Sequence, residues 1–421
     1  MKKYPLLVQV QRWWLFLFIV MIPFSTGYIF ERPVAFSYIN LFSIVFILLG
    51  AVNAATGVVP LRKLHDRPTL GALAIFFATL AYALLFTHPL RDGIGVWGSR
   101  LVQPALVGYG VYLLLEAGFL KLSEIAAALL ASLIPQIVGG FLQASHILPY
   151  KDTTRVTVAY QWPNTFARYI MTMLLLTYPW LLAKVPASLK RPAWIVWGLG
   201  VLLLLSSISY NGTVSFCIGL GLVTLLLPRD FTKLKIWVIA VLAVSGILIT
   251  TNASKLPKWQ ASIGSSRETR LEFWHVAVGA IKDHPLTGIG LKTWEHTYPQ
   301  LLVKYATKPF LSLTSPQPHN FILDSLLKAG VFGFIAIPLF LLWPAVTGLK
   351  IIRRSRFAKT GWFGLAVIGS SVALFCFGFI DDPIWSDDMM PLLFILLLGA
   401  AYCYSTVVTR GQIENDSKTL S

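Results

Sequence analysis

The chain has 421 residues, 56% of them hydrophobic and only 13% charged, and a mean hydropathy of +0.69, far too apolar for soluble domains of that total length. Its formal net charge of +17 would suit nucleic acid only if Lys and Arg clustered on one face of a water-soluble fold. They sit instead between hydrophobic runs, so no nucleic-acid partner is expected, and the positive-inside bias accounts for most of them, with a smaller share for anionic substrates or lipid headgroups.

A membrane-crossing helix needs about 20 mostly apolar residues, and such runs recur from Trp13 almost to the C-terminus. The start, Met1-Lys2-Lys3 followed by a polar stretch and the run Trp13 to Phe30, lacks a small-residue cleavage site and reads as a first span. Spans are expected at 12–30, 38–57, 70–88, 97–116, 122–145, 163–184, 192–209, 212–228, 234–251, 320–348, 360–380 and 390–408. The fold class is therefore all-α and polytopic, with about twelve transmembrane helices and a large helical outer loop between the ninth and tenth. The chain divides into 1–251 (spans one to nine), 252–318 (the loop, carrying catalytic elements), 319–408 (spans ten to twelve) and a cytoplasmic tail, 409–421. Cys217, Cys376 and Cys403 fall in apolar segments with no metal-ligand spacing and read as inert helix residues.

With the N-terminus inside, the inner connections hold Arg62, Lys63 and Arg67, then Lys121, Lys184, Lys190, Arg191, Arg229, Lys233, Lys235 and the cluster from Lys350 to Lys359. The outer short loops are poorer, with Arg32, Arg91, Arg100, Lys151 and Arg155, so both termini are placed in the cytoplasm. Six of the seven histidines then fall on the outer side or at outer span ends. The outer stretch from Thr251 to Pro318 is too long and too rich in charge, Trp and His to be a mere connector.

Within that loop, Leu271, Trp274, Val278 and Ile281 recur with a helical apolar period, and Ser265 or Ser266 is the expected N-cap. Arg267 and Arg270 lie at i and i+3, so two guanidiniums project near one another. Their planar forks suit the oxygens of a diphosphate, although pairing with Glu268 or Glu272, or plain exposure, is the commoner fate of such a pair. Asp283-His284-Pro285-Leu286-Thr287-Gly288-Ile289-Gly290 ends the helix in a tight turn; with no preceding strand and no third glycine it implies no nucleotide site.

Pro316-Gln317-Pro318 leads into His319-Asn320 at the membrane surface. A histidine there can take a proton from a hydroxyl nucleophile, and Asn320 and Asp324 could orient a sugar or the imidazole; the plain alternative is a His-Asn helix cap. Asp381, Asp382, Asp387 and Asp388 crowd the last outer loop. Such carboxylates can hold a hard divalent ion, but a solvated acidic rim, or counter-charges to the loop arginines, is preferred, and no metal or cofactor is expected. Asn164 and Arg168, at the start of the sixth span, and Arg155 share the outer compartment with Arg267 and Arg270, so an anionic site between outer loops is geometrically possible; the plain alternative for Arg168 is snorkelling.

Pro163-Asn164-Thr165-Phe166-Ala167, the stretch from Arg270 and Trp274 to Pro285, Gly288 and Gly290, His319-Asn320 with Leu323, Gly330 and Gly333, and the closing Asp381-Asp382-Pro383-Ile384-Trp385 together resemble the O-antigen ligase and polymerase superfamily. These are membrane glycosyltransferases that move a glycan from a polyprenyl diphosphate carrier on the non-cytoplasmic face. The resemblance covers most of the chain and is sharpest from Arg267 to Gly333, with short, degenerate motifs. It implies a metal-independent, inverting transfer in which Arg270 binds the diphosphate and His319 activates the acceptor hydroxyl. Arg267, Arg155 and Arg168 are further diphosphate-binding candidates, and Asn320, Asp324, Trp274, Asn164 and Asp382 are candidates for positioning acceptor or glycan. One departure stands out: Asn211 occupies the place, just after the seventh span, where ligases usually carry an arginine.

The expected partners are an undecaprenyl-diphosphate-linked glycan donor, a lipid A-core or other glycan acceptor, and membrane lipid; the expected location is the inner membrane, with the active site periplasmic. A polymerase joining repeat units, or an oligosaccharyltransferase acting on protein hydroxyls, would share the architecture. A glycan transporter is the reading from another class; it calls for charges at mid-membrane and often for two matching halves, and the sequence offers few of the former and no internal repeat.

Overall fold

The computed structural model describes residues 5–24, 28–30, 36–64, 66–148, 156–158, 163–252, 257–307, 317–382 and 389–419; within these, side chains at 28–30, 36, 245–252, 257–268 and 409–419 lie outside the description. The first half comprises α1 (Leu6–Met21), α2 (Tyr38–Ala55), α3 (Arg67–Leu84), α4 (Leu90–Trp97), α5 (Gln103–Glu116), α6 (Leu122–Ala131), α7 (Leu133–Ala144) and α8 (Pro163–Ala183). The second half comprises α9 (Ala187–Ser206), α10 (Tyr210–Leu226), α11 (Thr232–Asn252), α12 (Pro257–Asp283), α13 (Thr293–Tyr305), α14 (Phe321–Arg354), α15 (Trp362–Gly378) and α16 (Met389–Thr419). Two very short antiparallel strands, β1 (Tyr28–Phe30) and β2 (Phe36–Ser37), lie between α1 and α2.

Among the described residues nine helices are long and apolar enough to cross a membrane: α1 with its extension to Phe24, α2, α3, α6 with α7, α8, α9, α14, α15 and the apolar part of α16. The other three expected spans also fall on helices. The stretch 97–116 runs through the end of α4, a π-helical turn at Gly98–Val102 and α5; 212–228 falls on α10, which is apolar but only 17 residues long; and 234–251 falls on α11. The first helix differs from expectation by beginning at Leu6 and ending before the strand at Tyr28, because Pro5 and Pro23 bracket it.

The centre of the bundle is α8 and α15, whose apolar windows are 89% and 83% buried, whereas α9 and α2 are only 22% and 28% buried and present apolar side chains outward. A helix apolar all round belongs inside, and α8 packs on α15, α10 and α9. Phe340 of α14 stacks on Phe76 of α3, with ring centroids 3.9 Å apart, and meets Phe394 of α16 at 5.3 Å. Gly348 and Gly364 lie where α14 and α15 approach closely, as small residues allow between membrane helices.

The loop between α11 and α14 folds on itself. Phe273, Val276, Ala277 and Ala280 of α12 pack with Trp294, Tyr298 and Leu302 of α13 and Leu327 of α14 into a second small core. This corrects two expectations. The buried stripe of α12 runs through 273, 276, 277 and 280, while Leu271 and Val278 are exposed, because the face turned to α13 is the one that finds a partner. Ser265 and Ser266 lie inside α12 rather than capping it, since the helix already begins at Pro257, and Pro is favoured in a first turn.

The helix α14 is broken at Ala329 (φ −145°) and Gly330 (φ +57°). The turn after α12 fills the break: the Ile289 amide donates to the Leu327 carbonyl at 2.6 Å, and the Val331 amide to the Pro285 carbonyl at 3.0 Å. Backbone groups freed by the break are thereby satisfied, as buried polar groups require. A Cβ on Gly330 would lie 2.2 Å from the Leu286 carbonyl oxygen. Gly330→Ala is therefore expected to destabilise the fold by about 2 kcal/mol or more, read as a lower thermal midpoint in detergent, whereas Gly71→Ala, on α3 with nothing within 4 Å, should leave it unchanged or slightly raised.

Candidate active site

The turn that ends α15 is strapped from several sides. Asn211, buried near the start of α10, donates from Nδ2 to the Phe377 carbonyl at 2.8 Å, and Asn320 donates to the Phe379 carbonyl at 3.0 Å. Arg168, buried on α8, donates from Nη1 to the Asp382 carbonyl at 2.6 Å. The result is to fix Asp381 at the meeting point of α8, α12 and the turn before α14.

The Asp381 carboxylate gathers donors on both oxygens. Its Oδ1 accepts from the Asp382 amide at 2.9 Å and lies 3.1 Å from His319 Nδ1. Its Oδ2 accepts from Asn164 Nδ2 at 2.9 Å and faces Arg270 Nη2 at 3.9 Å. Asn164 is held in turn by Ser209, whose hydroxyl donates to its Oδ1 at 2.8 Å while capping α10. Burial alone would raise the Asp381 carboxyl, but the hydrogen bond and charge of His319, the charge of Arg270 and the Asp382 amide outweigh it and hold the carboxyl at about 2. The group is therefore a carboxylate across ordinary pH.

That ionisation fixes the histidine. A carboxylate only accepts, so the bond requires the proton on His319 Nδ1, and the neutral ring then offers the Nε2 lone pair. The backbone there is unusual: His319 has φ +53°, a left-handed conformation that costs about 1–3 kcal/mol outside glycine. Three contacts hold it. Trp274 Nε1 donates to the Pro318 carbonyl at 3.0 Å; Phe273 stacks on the imidazole, with centroids 6.0 Å apart; and Asn320 caps α14 by accepting from the amides of Ile322 and Leu323 at 3.0 and 3.1 Å.

Of the residues singled out from the sequence, His319, Arg270 and Asn164 meet directly at Asp381, Trp274 and Asn320 set the turn that presents His319, and Arg168 and Asp382 lie beside it. Asp324 faces elsewhere: it is buried and paired with Lys328 one turn along α14, so the imidazole is oriented by Asp381 instead. Arg267 lies on α12 one turn before Arg270 with its side chain outside the description, and Arg155, Asp387 and Asp388 lie outside the described residues. Sequence reasoning placed Asp381 in an acidic cluster and in the closing motif of the family resemblance, and gave neither it nor Ser209 a role in the site. The legible signal was the suggestion that these carboxylates are counter-charges to the loop arginines; choosing Asp381 over its neighbour needs the fold. Among the described residues no group of three or more His, Cys, Asp or Glu is arranged to hold a metal ion.

Residues 193–337, about a third of the chain, match the O-antigen ligase family model. The matched stretch contains Arg270, Trp274, His319 and Asn320, while Asn164, Arg168 and Asp381 reach the site from outside it. The resemblance to the O-antigen ligase and polymerase superfamily, whose members are glycosyltransferase-like, thus holds over this part of a polytopic membrane protein. No curated protein matches the chain.

The depressed Asp381 carboxyl makes a pH prediction. Its contribution to stability is fully present above the ordinary value of 3.8 and is lost as pH falls through about 2, and it amounts to roughly 2 kcal/mol. Thermal midpoints of wild type in detergent should fall between pH 4 and pH 2 by more than those of Asp381→Asn, whose midpoint at neutral pH should already be lower; parallel curves would show that the carboxylate is not so held.

Proposed function

We propose that this protein is an O-antigen-ligase-type glycosyltransferase of the inner membrane, with about twelve spans and both termini cytoplasmic, that transfers a polysaccharide from undecaprenyl diphosphate to lipid A-core at the periplasmic face. The observation that carries the proposal is the convergence of His319 and Arg270 on the buried carboxylate of Asp381. In the proposed reaction Nε2 of His319 takes the proton of an acceptor hydroxyl as its oxygen attacks the anomeric carbon. The bond from that carbon to the carrier diphosphate breaks, and the diphosphate leaves with the electron pair.

Arg270 suits the leaving group. At 3.9 Å its contact with Asp381 is an ion pair longer than a hydrogen bond, so charge holds the guanidinium while its N–H fork can serve a second anion. Stabilising a leaving diphosphate without a metal requires several positioned donors, and with Asn211 in place of the family arginine, Arg267, Arg155 and Arg168 are proposed to add charge. Asn164, Trp274, Asn320, Asp324 and Asp382 are proposed to position glycan or the groups that touch it. The loop 252–318 carries Arg270 and, with the start of span ten, His319; placing it in the periplasm puts the site where the carrier-linked glycan would be presented.

A polymerase that lengthens the carrier-linked glycan would use the same groups, and protein hydroxyls are a third acceptor class; the choice is made by the acceptor that is extended. The test supplies purified protein with carrier-linked glycan, lipid A-core and EDTA. Wild type is expected to form product, with His319→Ala slower by about 10²–10⁴-fold and Arg270→Ala by about 10²–10³-fold. Product on the carrier instead of the core would assign a polymerase, and full activity in either variant would remove the assigned role. If Arg267→Ala, Arg155→Ala and Arg168→Ala each leave transfer intact, none of them replaces the missing arginine.

A further inference from the structure

A small pocket with its own residues lies beside the Asp381 cluster, between the start of α13, the π-helical turn at Gly98–Val102 and the first turns of α14. Its volume of about 40 Å³ holds roughly three water-sized groups, too few for a whole sugar ring and enough for the hydroxyls along one edge of it. The walls alternate in charge: Arg100, Lys292 and Lys328 are cationic, and Glu295 and Asp324 are acidic. Two pairs are made within the wall, Lys328 with Asp324 and Lys292 Nζ with Glu295 Oε2 at 3.5 Å.

This composition discriminates between ligand classes. A subsite for an anion gathers donors and avoids carboxylates. A hydroxyl both donates and accepts, so neighbouring hydroxyls are matched by carboxylates set beside ammonium groups and the amide of Gln317. Trp294, 4% exposed, also lines the pocket, so an aromatic ring borders the charged groups.

The wall is built in advance of any ligand. Lys292 takes a left-handed φ of +60° at the start of α13, and the segment is tied to the loop after α3, where the Leu291 amide donates to Thr87 Oγ1 at 2.8 Å and the His88 amide to Thr293 Oγ1 at 3.0 Å. The pocket also adjoins the reacting groups: Gln317 is two residues from His319, so their Cα atoms are within about 7 Å.

We infer that this pocket is a glycan subsite that grips the hydroxyl edge of a sugar ring in one of the two substrates, next to the bond being made. The inference deepens the glycosyltransferase reading and rests on it for the identity of the ligand. Its test has a readout that needs no turnover: saturation-transfer NMR on the full-length protein in nanodiscs, with glucose, galactose and N-acetylglucosamine as probes and inorganic phosphate as competitor. Wild type should give signal from at least one sugar, unaffected by phosphate, and Gln317→Ala and Glu295→Gln should each weaken it by about five- to tenfold. Glu295 is at the surface, so its variant remains informative if the Gln317 variant folds poorly by thermal midpoint.

Absence of signal from all three sugars, signals equal in wild type and both variants, or displacement by phosphate would overturn the subsite. In the transfer assay the same variants should raise KM for one glycan substrate more than they lower kcat, and the substrate affected identifies which glycan is held. Normal transfer with unchanged KM and unchanged sugar signals would sink the subsite and leave the transferase intact. Variant-sensitive sugar binding without transfer to any acceptor would keep the subsite and remove the transferase.

Discussion

One buried carboxylate organises one end of this bundle. Asp381 sits at the close of α15, yet its partners come from α8, α12 and the turn before α14. A charge so deeply placed is tolerated only when surrounded by donors, and two of the donors here are themselves fixed: Asn164 by Ser209, and His319 by Trp274 and Phe273 through its turn and ring. Removing the carboxylate would leave Arg270 and His319 without the group that places them, so local stability and the candidate chemistry depend on the same interaction.

The second constraint is the broken α14. A continuous helix from Phe321 would leave no seam for the turn that follows α12; the break at Ala329 and Gly330 exposes carbonyl and amide groups that Pro285 and Ile289 satisfy. The turn after α12 is thereby tied to α14 just beyond His319. Non-helical backbone at such a depth is tolerated where protein covers it, and the small core of α12 and α13 provides that cover. The helix α12 and the turn before α14 are parts of the site, and their packing lets Arg270 and His319 share a carboxylate 62 residues from the histidine.

Much of the architecture was legible because lipid imposes a simple code. Long apolar runs must be helical, and among the described residues nine helices are long and apolar enough to cross a membrane. The candidate site was legible where a residue type is rare and chemically apt: His319, Arg270, Trp274, Asn164 and Arg168 all reach one region. Asp324 was equally apt as a residue type but turns toward Lys328, a fact set by its angular position on α14.

The sequence by itself determined that the chain is a polytopic helical membrane protein, because composition and hydropathy act residue by residue. Only the tertiary structure decided that Asp381, rather than Asp382 or Asp324, pairs with the histidine, that α12 buries 273, 276, 277 and 280, and that the turn of Gly288 and Gly290 seals a broken helix. Those choices depend on contacts between segments distant along the chain, and two adjacent aspartates or two apolar stripes on one helix are equivalent until a partner faces one of them.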